Sequence, residues 1–258
     1  MTSSPIADQR LSRTREAIEL AFDDEKPIFL AFSGGKDALA LLKLCEPYAG
    51  RFKLIWANTG HSFPHVERLI RAEGERFGLE EIRPDLHAHW QAHGWPTEIA
   101  TVTSAMSVNS DIRLQPWPLC CLAMKVAPIL AHLGALKTPV TLLHGQKLAD
   151  GWRVPLPMPP NVSISMPLAE WTDADIYSFL SAEGVELPEH YATVKDSLDC
   201  RICPANWTQS FAPEYVEYIN RKYPEVSRSV RPVAERIFKH LRSATSNLET
   251  ALERAAQD

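Results

Sequence analysis

The segment that most constrains the fold is Ile28-Phe-Leu-Ala-Phe32, followed at once by Ser33-Gly34-Gly35-Lys36-Asp37 and a Leu- and Ala-rich run to Cys45. Apolar residues bounded by turn residues read as a buried strand, and the run after the glycines reads as a helix. A strand that turns through two glycines into a helix N-terminus is an anion trap. The glycines let backbone N–H groups turn inward, and the first helical turn carries partial positive charge. Lys36 adds a point charge and Ser33 a hydroxyl donor. The spacing fits neither the GxxxxGK phosphate loop nor the GxGxxG dinucleotide fingerprint. Taken alone, its alternative is a tight strand–helix turn with no ligand.

The pattern repeats. Phe52–Ala57 reads as a strand, Asn58-Thr59-Gly60 as a turn and Pro64–Phe77 as a helix with proline in its first turn. An amphipathic helix over 8–22 precedes these, and a helix over 122–133 leads to a buried strand over 139–143. Short apolar strands alternating with helices predict an α/β fold: a doubly wound, Rossmann-like parallel sheet of nucleotide-binding type with a helical C-terminal part. Ligands of such sheets sit beyond the carboxyl ends of the strands, so Ser33–Lys36 and Asn58–Gly60 are expected to face one pocket. The Pro-rich stretch Val154–Pro160 reads as an ordered loop, with a PxxP ligand as the alternative. Helices are expected over 173–181 and 213–221 and from about 227 towards 254. The expected division is a nucleotide-binding domain over 1–207 and a helical extension over 208–258. Arg228, Arg231, Arg236, Lys239 and Arg242 in that extension form either a solvated face or a docking surface for a nucleic acid.

At 258 residues, 45% hydrophobic and 23% charged, the chain is not a disordered tail, a collagen-like repeat or a disulfide miniprotein. A net charge of −5 gives no overall basic field. No apolar run approaches the ~20 residues that cross a bilayer, and the first eight residues lack the basic and apolar regions of a secretory signal. The expected compartment is the cytoplasm, without membrane attachment. Thiols stay reduced there, so Cys45, Cys120, Cys121, Cys200 and Cys203 are not read as disulfides. The adjacent sulfurs of Cys120 and Cys121 project differently, which suits separate iron corners better than one tetrahedral zinc. Cys203-Pro204 is a step also found at ferredoxin clusters. A [4Fe-4S] cluster on Cys120, Cys121, Cys200 and Cys203 is therefore expected, with zinc or unliganded buried thiols as alternatives. Lys125, one turn past Cys121, is placed to hold cluster sulfurs against phosphates. Cys45 reads as a small core residue. Asp37 reads as a helix cap or as a carboxylate for Mg2+, and Thr172 as the N-cap of its helix. Asp85, His87, His89 and His93 form an HxHxxxH run that is either a metal site or a packed loop. His61 is expected to face the nucleotide and not to share a metal with His65.

Several of these segments carry a family resemblance. Phe32-Ser-Gly-Gly-Lys-Asp-Ala38 resembles the PP-loop of ATP pyrophosphatases of the adenine-nucleotide alpha-hydrolase type, with Ala38 where that loop ends in Ser. Asn58-Thr-Gly-His-Ser-Phe-Pro64 resembles the TGxxFPE segment of the phosphoadenylyl-sulfate reductase branch, with His65 in place of Glu. Cys120–Pro128 is similar to the CCxxxKVxP segment of adenylyl-sulfate reductases, and Gly145-Gln-Lys147 to their GxR element with Lys for Arg. Pro167–Ile176 resembles their WTxxDI helix start, and Asp199–Pro204 their second cysteine pair.

The resemblance spans about residues 28–207. It implies an iron–sulfur enzyme that binds an adenine nucleotide (ATP, adenylyl sulfate or phosphoadenylyl sulfate) for sulfur chemistry. Carried over residue by residue, the nucleotide contacts fall on Ser33, Gly34, Gly35, Lys36, Asp37, Thr59, Gly60, His61, Lys147 and Arg153, with Lys36 and Asp37 as the catalytic pair. The SGGKD loop favours ATP cleaved to AMP and pyrophosphate, whereas the cysteines pull toward sulfonucleotide reduction. Reductases of this branch keep a catalytic cysteine near the C-terminus, and none follows Cys203 here. A reductase reading then needs an electron or thiol donor protein. A non-catalytic nucleotide-binding subunit is the other alternative.

Overall fold

The computed structural model describes residues 5–99, 112–150 and 157–255. The chain packs as two compact units. The first comprises Met1–Asp85, Cys121–Tyr191 and Ser197–Cys200, and the second Leu86–Cys120, Ala192–Asp196 and Arg201–Asp258.

The first unit is built on one five-stranded sheet. Its strands are β1 (Ile28–Ala31), β2 (Phe52–Ala57), β3 (Leu79–Ile82), β6 (Val140–Leu143) and β7 (Val162–Ser165), in the order β3-β2-β1-β6-β7. Every pairing is parallel, with Leu30 opposite both Leu54 and Leu143. The expected doubly wound parallel sheet is thus present. β1 to β3 run outward in one direction, and the chain then returns to place β6 on the other side of β1. That reversal makes β1/β6 the topological switch point, where open α/β sheets hold ligands.

Side chains alternate across the sheet. Phe29, Ile55, Ala57, Leu142, Val140 and Val162 bury one face against Ile129, Leu130 and Leu133 of the helix Ala127–Ala135. The helices Lys36–Cys45 and Asp173–Ala182 pack on each other. β3 and β7 were not anticipated. Each is a short edge strand, Leu-Glu-Glu-Ile and Val-Ser-Ile-Ser, too polar for an apolar-run criterion.

Two expectations are corrected here. The helical stretch Trp117–Ala135, 19 residues long, does meet the length and apolarity of a membrane span. In the folded chain Ile129, Leu130 and Leu133 lie in the sheet core, and Lys125 in its middle is ion-paired with Asp199. This stretch also runs longer than the expected 122–133, because a π-helical segment, Leu122–Val126, joins its two α-helical parts. Pro128 explains the widened turn: its ring excludes the carbonyl four residues back, and Ala127 donates five residues back to Leu122.

The second unit holds a parallel strand pair, β4 (Trp95–Thr97) and β5 (Leu114–Pro116). Ile112, Leu114 and Ile237 form its core with Trp95, Val233 and Leu241 packed against them. Ile237 comes from the helix Pro224–Ala255, which follows the helix Ala212–Lys222. Leu86–His93 is a helix and not the packed loop expected for the HxHxxxH run. Its His89 hydrogen-bonds Gln115 at 3.1 Å and its ring lies 4.6 Å from that of His93. Arg228, Arg231, Lys239 and Arg242 are exposed, outside the apolar stripe of Val226, Val230 and Ile237.

Candidate functional site

The carboxyl ends of β1 and β6 carry the two lysines that sequence reading assigned to the nucleotide. Ser33 is exposed at the end of β1. Gly34 follows with φ +73°, and a Cβ there would lie 3.1 Å from Val66 and 3.2 Å from Ile70. The positive φ favours glycine, and any side chain there would also press on Val66 and Ile70. The turn delivers Lys36 as the first residue of its helix, with its backbone N–H donating to the Tyr191 hydroxyl at 3.0 Å. On the other side of the switch point, Gly145 lies so close to the helix start that a Cβ would stand 3.1 Å from the Asp37 carbonyl carbon and oxygen. That close approach brings in Lys147.

The two ammonium groups converge on carboxylates. Lys36 and Lys147 are only 6% and 2% exposed. Lys36 Nζ meets Asp37 Oδ2 at 3.0 Å and Asp173 Oδ1 at 3.2 Å. Lys147 Nζ meets Asp37 Oδ1 at 2.6 Å, Asp150 Oδ1 at 2.9 Å and Asp173 Oδ1 at 3.3 Å. Burial alone would lower both lysine pKa values. The charges of Asp37 and Asp173 at Lys36, and hydrogen bonds from Lys147 to Asp37 and Asp150, outweigh it and raise them. Both lysines are therefore cations at any physiological pH, held at the switch point. Asp37 does not cap its helix: Gly35 is the N-cap residue and no side chain caps it. Its carboxylate bridges the lysines instead.

Other expected site residues take different positions. Thr59 is buried, with its hydroxyl 3.5 Å from Cys200 Sγ. Gly60 donates its N–H to the Asn58 side chain at 2.8 Å, closing the turn after β2. His61 is half-buried, and His65 pairs with His190 at 2.9 Å. Arg153 lies outside the described residues, as does the Pro-rich stretch up to residue 156. Tyr191, Asp150, Asp173 and His190 were not anticipated as site residues. Asp173 stands inside the quoted helix start, where the sequence singles out Thr172 as the cap, and Tyr191 reaches Lys36 from 155 residues away with no local signal.

The cysteines divide between the units. Cys121 and Cys200 belong to the first. Burial lowers the Lys125 pKa, but Asp199 and the thiols of Cys121 and Cys200 raise it well above the usual lysine value. Cys120 and Cys203 belong to the second, where Cys120 accepts the Trp90 indole N–H at 3.3 Å and Cys203 precedes the 3-10 turn Pro204–Trp207. Four thiols, two of them beside an ammonium group, suit an iron–sulfur cluster as a donor set. Among the described residues no three His, Cys, Asp or Glu side chains are gathered as a metal-holding group. Cys45 is fully buried, and burial pushes its thiol up to about 12.

Comparison with known proteins agrees with this architecture. The phosphoadenosine phosphosulfate reductase domain matches residues 27–206. The sulfate adenylyltransferase subunit 2 of Mycobacterium sp. (strain JLS) is 24% identical over 195 residues, covering 67% of this chain and 60% of that protein. The protein of the same name from Mycobacterium tuberculosis (strain H37Rv) is 25% identical over the same length and shares. The chain thus spans only about 60% of the length of these relatives. The phosphoadenylyl-sulfate reductase of Candida auris, solved as a phosphate complex, has the same fold at TM-score 0.51 and 17% identity, over 78% of this chain and 97% of that one. With the family match covering well over half of its residues, the chain belongs to the phosphoadenosine phosphosulfate reductase domain family.

Proposed function

We propose that this chain binds an adenine nucleotide with its phosphate end between Lys36 and Lys147, and that the nucleotide is ATP: an oxyanion takes its adenylyl group as pyrophosphate leaves, and AMP leaves when a sulfur nucleophile displaces the activated oxygen. The observation that carries this reading is the convergence of two buried ammonium groups at the β1/β6 switch point. A leaving pyrophosphate is a polyanion, and fixed cations at its position stabilise charge as it develops. Gly34, Gly35 and Ser33 line the same loop, and Asp37 is the carboxylate available to a Mg2+ ion accompanying the phosphates. Thr59, Gly60, His61 and Arg153 complete the nucleotide contacts in this reading. The relatives' name supports it: a sulfate adenylyltransferase moves an adenylyl group onto sulfate, and adenylyl transfer from ATP leaves pyrophosphate. That name also makes them one subunit of an enzyme, so a partner subunit belongs to the reading, as does a cytoplasmic setting.

The reading includes a [4Fe-4S] cluster held by Cys120, Cys121, Cys200 and Cys203, which would supply a charged, redox-capable centre when bound. Lys125 then offsets the negative charge on the Cys121 and Cys200 side of it, and Asp199 holds Lys125 in place. Reduction of adenylyl or phosphoadenylyl sulfate with a partner's thiol is the second reading, favoured by the same cysteines. No nucleic-acid substrate is included.

Equilibrium binding of ATP to the full chain tests the proposal. Lys36→Ala should weaken ATP by about ten- to a hundredfold, the value of one charge-assisted contact. Unchanged affinity would place the nucleotide elsewhere. ATP bound without pyrophosphate release, with sulfate and the partner subunit present, would reduce the chain to a nucleotide-binding subunit.

A further inference from the structure

Lys36 and Lys147 share a carboxylate that belongs to neither of their loops. Asp173 lies on the first turn of the helix Asp173–Ala182, which the packing of that helix on Lys36–Cys45 carries to the switch point. We propose that Asp173 is a displaceable internal anion: it occupies the ammonium pair until the phosphate end of a nucleotide, or free pyrophosphate, takes its place. This inference rests on the nucleotide reading of the same loop and names the residue against which the ligand must compete.

Donor arithmetic carries the argument. An ammonium group has three N–H donors, and Lys147 Nζ already faces three carboxylates, Asp37, Asp150 and Asp173. An incoming phosphate oxygen finds a donor on Lys147 only if one of these leaves. Asp37 does not leave readily: its two oxygens bridge both lysines, and it sits on the helix that the loop itself starts. Asp150 is held locally, because its other oxygen accepts the Lys147 backbone N–H at 2.8 Å. Asp173 is different. It reaches both lysines through the single oxygen Oδ1, at 3.2 and 3.3 Å, the longest contacts of the set. Its side chain is 59% exposed, so a rotamer change delivers it to water. The helix start does not depend on it, since Thr172 and Asp175 form the capping box. A neutral ligand offers nothing to replace the lost carboxylate, whereas a polyanion restores the charge and adds oxygens. Asp173 therefore discriminates by ligand charge.

Calorimetric titration of the full chain with sodium pyrophosphate, without divalent cations, tests this. Asp173→Asn and Asp173→Ser should each bind pyrophosphate about tenfold more tightly than the unaltered chain, the size of one charge-assisted hydrogen bond. Adenosine, lacking the anion, should bind all three alike. Equal or weaker pyrophosphate binding by both folded variants overturns the proposal. So does a loss confined to Mg2+-containing buffer, which would make Asp173 a cation ligand. Lys147→Ala separates the two readings: weakened binding there keeps the loop as the phosphate site whatever Asp173 does, whereas unchanged binding removes the site itself.

Discussion

At the scale of single residues, the site depends on two buried charges and one missing side chain. Lys36 was legible because it follows a strand and two glycines, a local pattern with a local cause. Lys147 was reached only through resemblance, since nothing in Gly145-Gln-Lys147 by itself announces an anion. The role of Gly145 appears in the fold, where its missing Cβ lets the loop after β6 lie against the backbone of Asp37 and Ala38. Those neighbours are main-chain atoms and cannot swing aside. Gly145→Val should therefore destabilise the chain by about 1–3 kcal/mol, as overpacking does. It should also weaken ATP by tenfold or more as Lys147 is pushed from Asp37. Urea unfolding and ATP titration on the same sample check both, and retained affinity in a folded variant would show that the close approach does not position Lys147.

At the scale of elements, the helix Asp173–Ala182 shows a local rule operating in full. Thr172 accepts the Asp175 N–H, and the Asp175 carboxylate accepts the Thr172 N–H, at 3.2 and 2.8 Å. Burial alone would raise the Asp175 pKa. The bonds from Thr172 and the charge of Arg10 outweigh it and hold the carboxyl below the usual aspartate value. A lowered folded-state pKa stabilises the fold above the unfolded value of about 3.9, and that contribution fades as pH falls through the lower folded value. Asp175→Ala should thus cost about 0.5–2 kcal/mol at neutral pH, the range of a lost cap. The difference from the unaltered chain should shrink below pH 4, and guanidinium unfolding across pH 2–7 measures it. A gap independent of pH would mean that packing, not the carboxylate, holds this helix start.

At the scale of the whole molecule, the thiol inventory limits the chemistry. Sulfonucleotide reduction through a covalent intermediate requires a thiolate that attacks sulfur and is later released by a second thiol. With Cys120, Cys121, Cys200 and Cys203 proposed as cluster ligands, Cys45 is left among the five cysteines. It lies buried within the helix Lys36–Cys45, where burial holds its thiol near 12 and unreactive. The chain alone should form no covalent adduct with labelled adenylyl sulfate and should release no sulfite with a dithiol. Intact-mass spectrometry reads the first and a sulfite assay the second. An adduct on Cys45, or sulfite above background, would restore the reductase reading.

By itself the sequence determined the parallel α/β class, the glycine turn after the first strand, and the helix starts at Pro64 and Asp173, with the helix after the glycines expected from Asp37 and found from Lys36. Each follows from interactions within a few residues: apolar period, proline in a first turn, a side chain capping its own helix. Only the tertiary structure decided that Lys147, Asp150 and Asp173 meet Lys36 and Asp37, and that Tyr191 accepts the Lys36 N–H. Those groups come from separate loops and helices, and their meeting depends on the strand order that seats β6 beside β1. The edge strand Leu79–Ile82 escaped the sequence for the same reason: Glu80 and Glu81 point to half-buried faces, where Glu80 pairs with Lys53 and His132 and Glu81 with Arg71 and Arg83, and such partners are not a property of four residues.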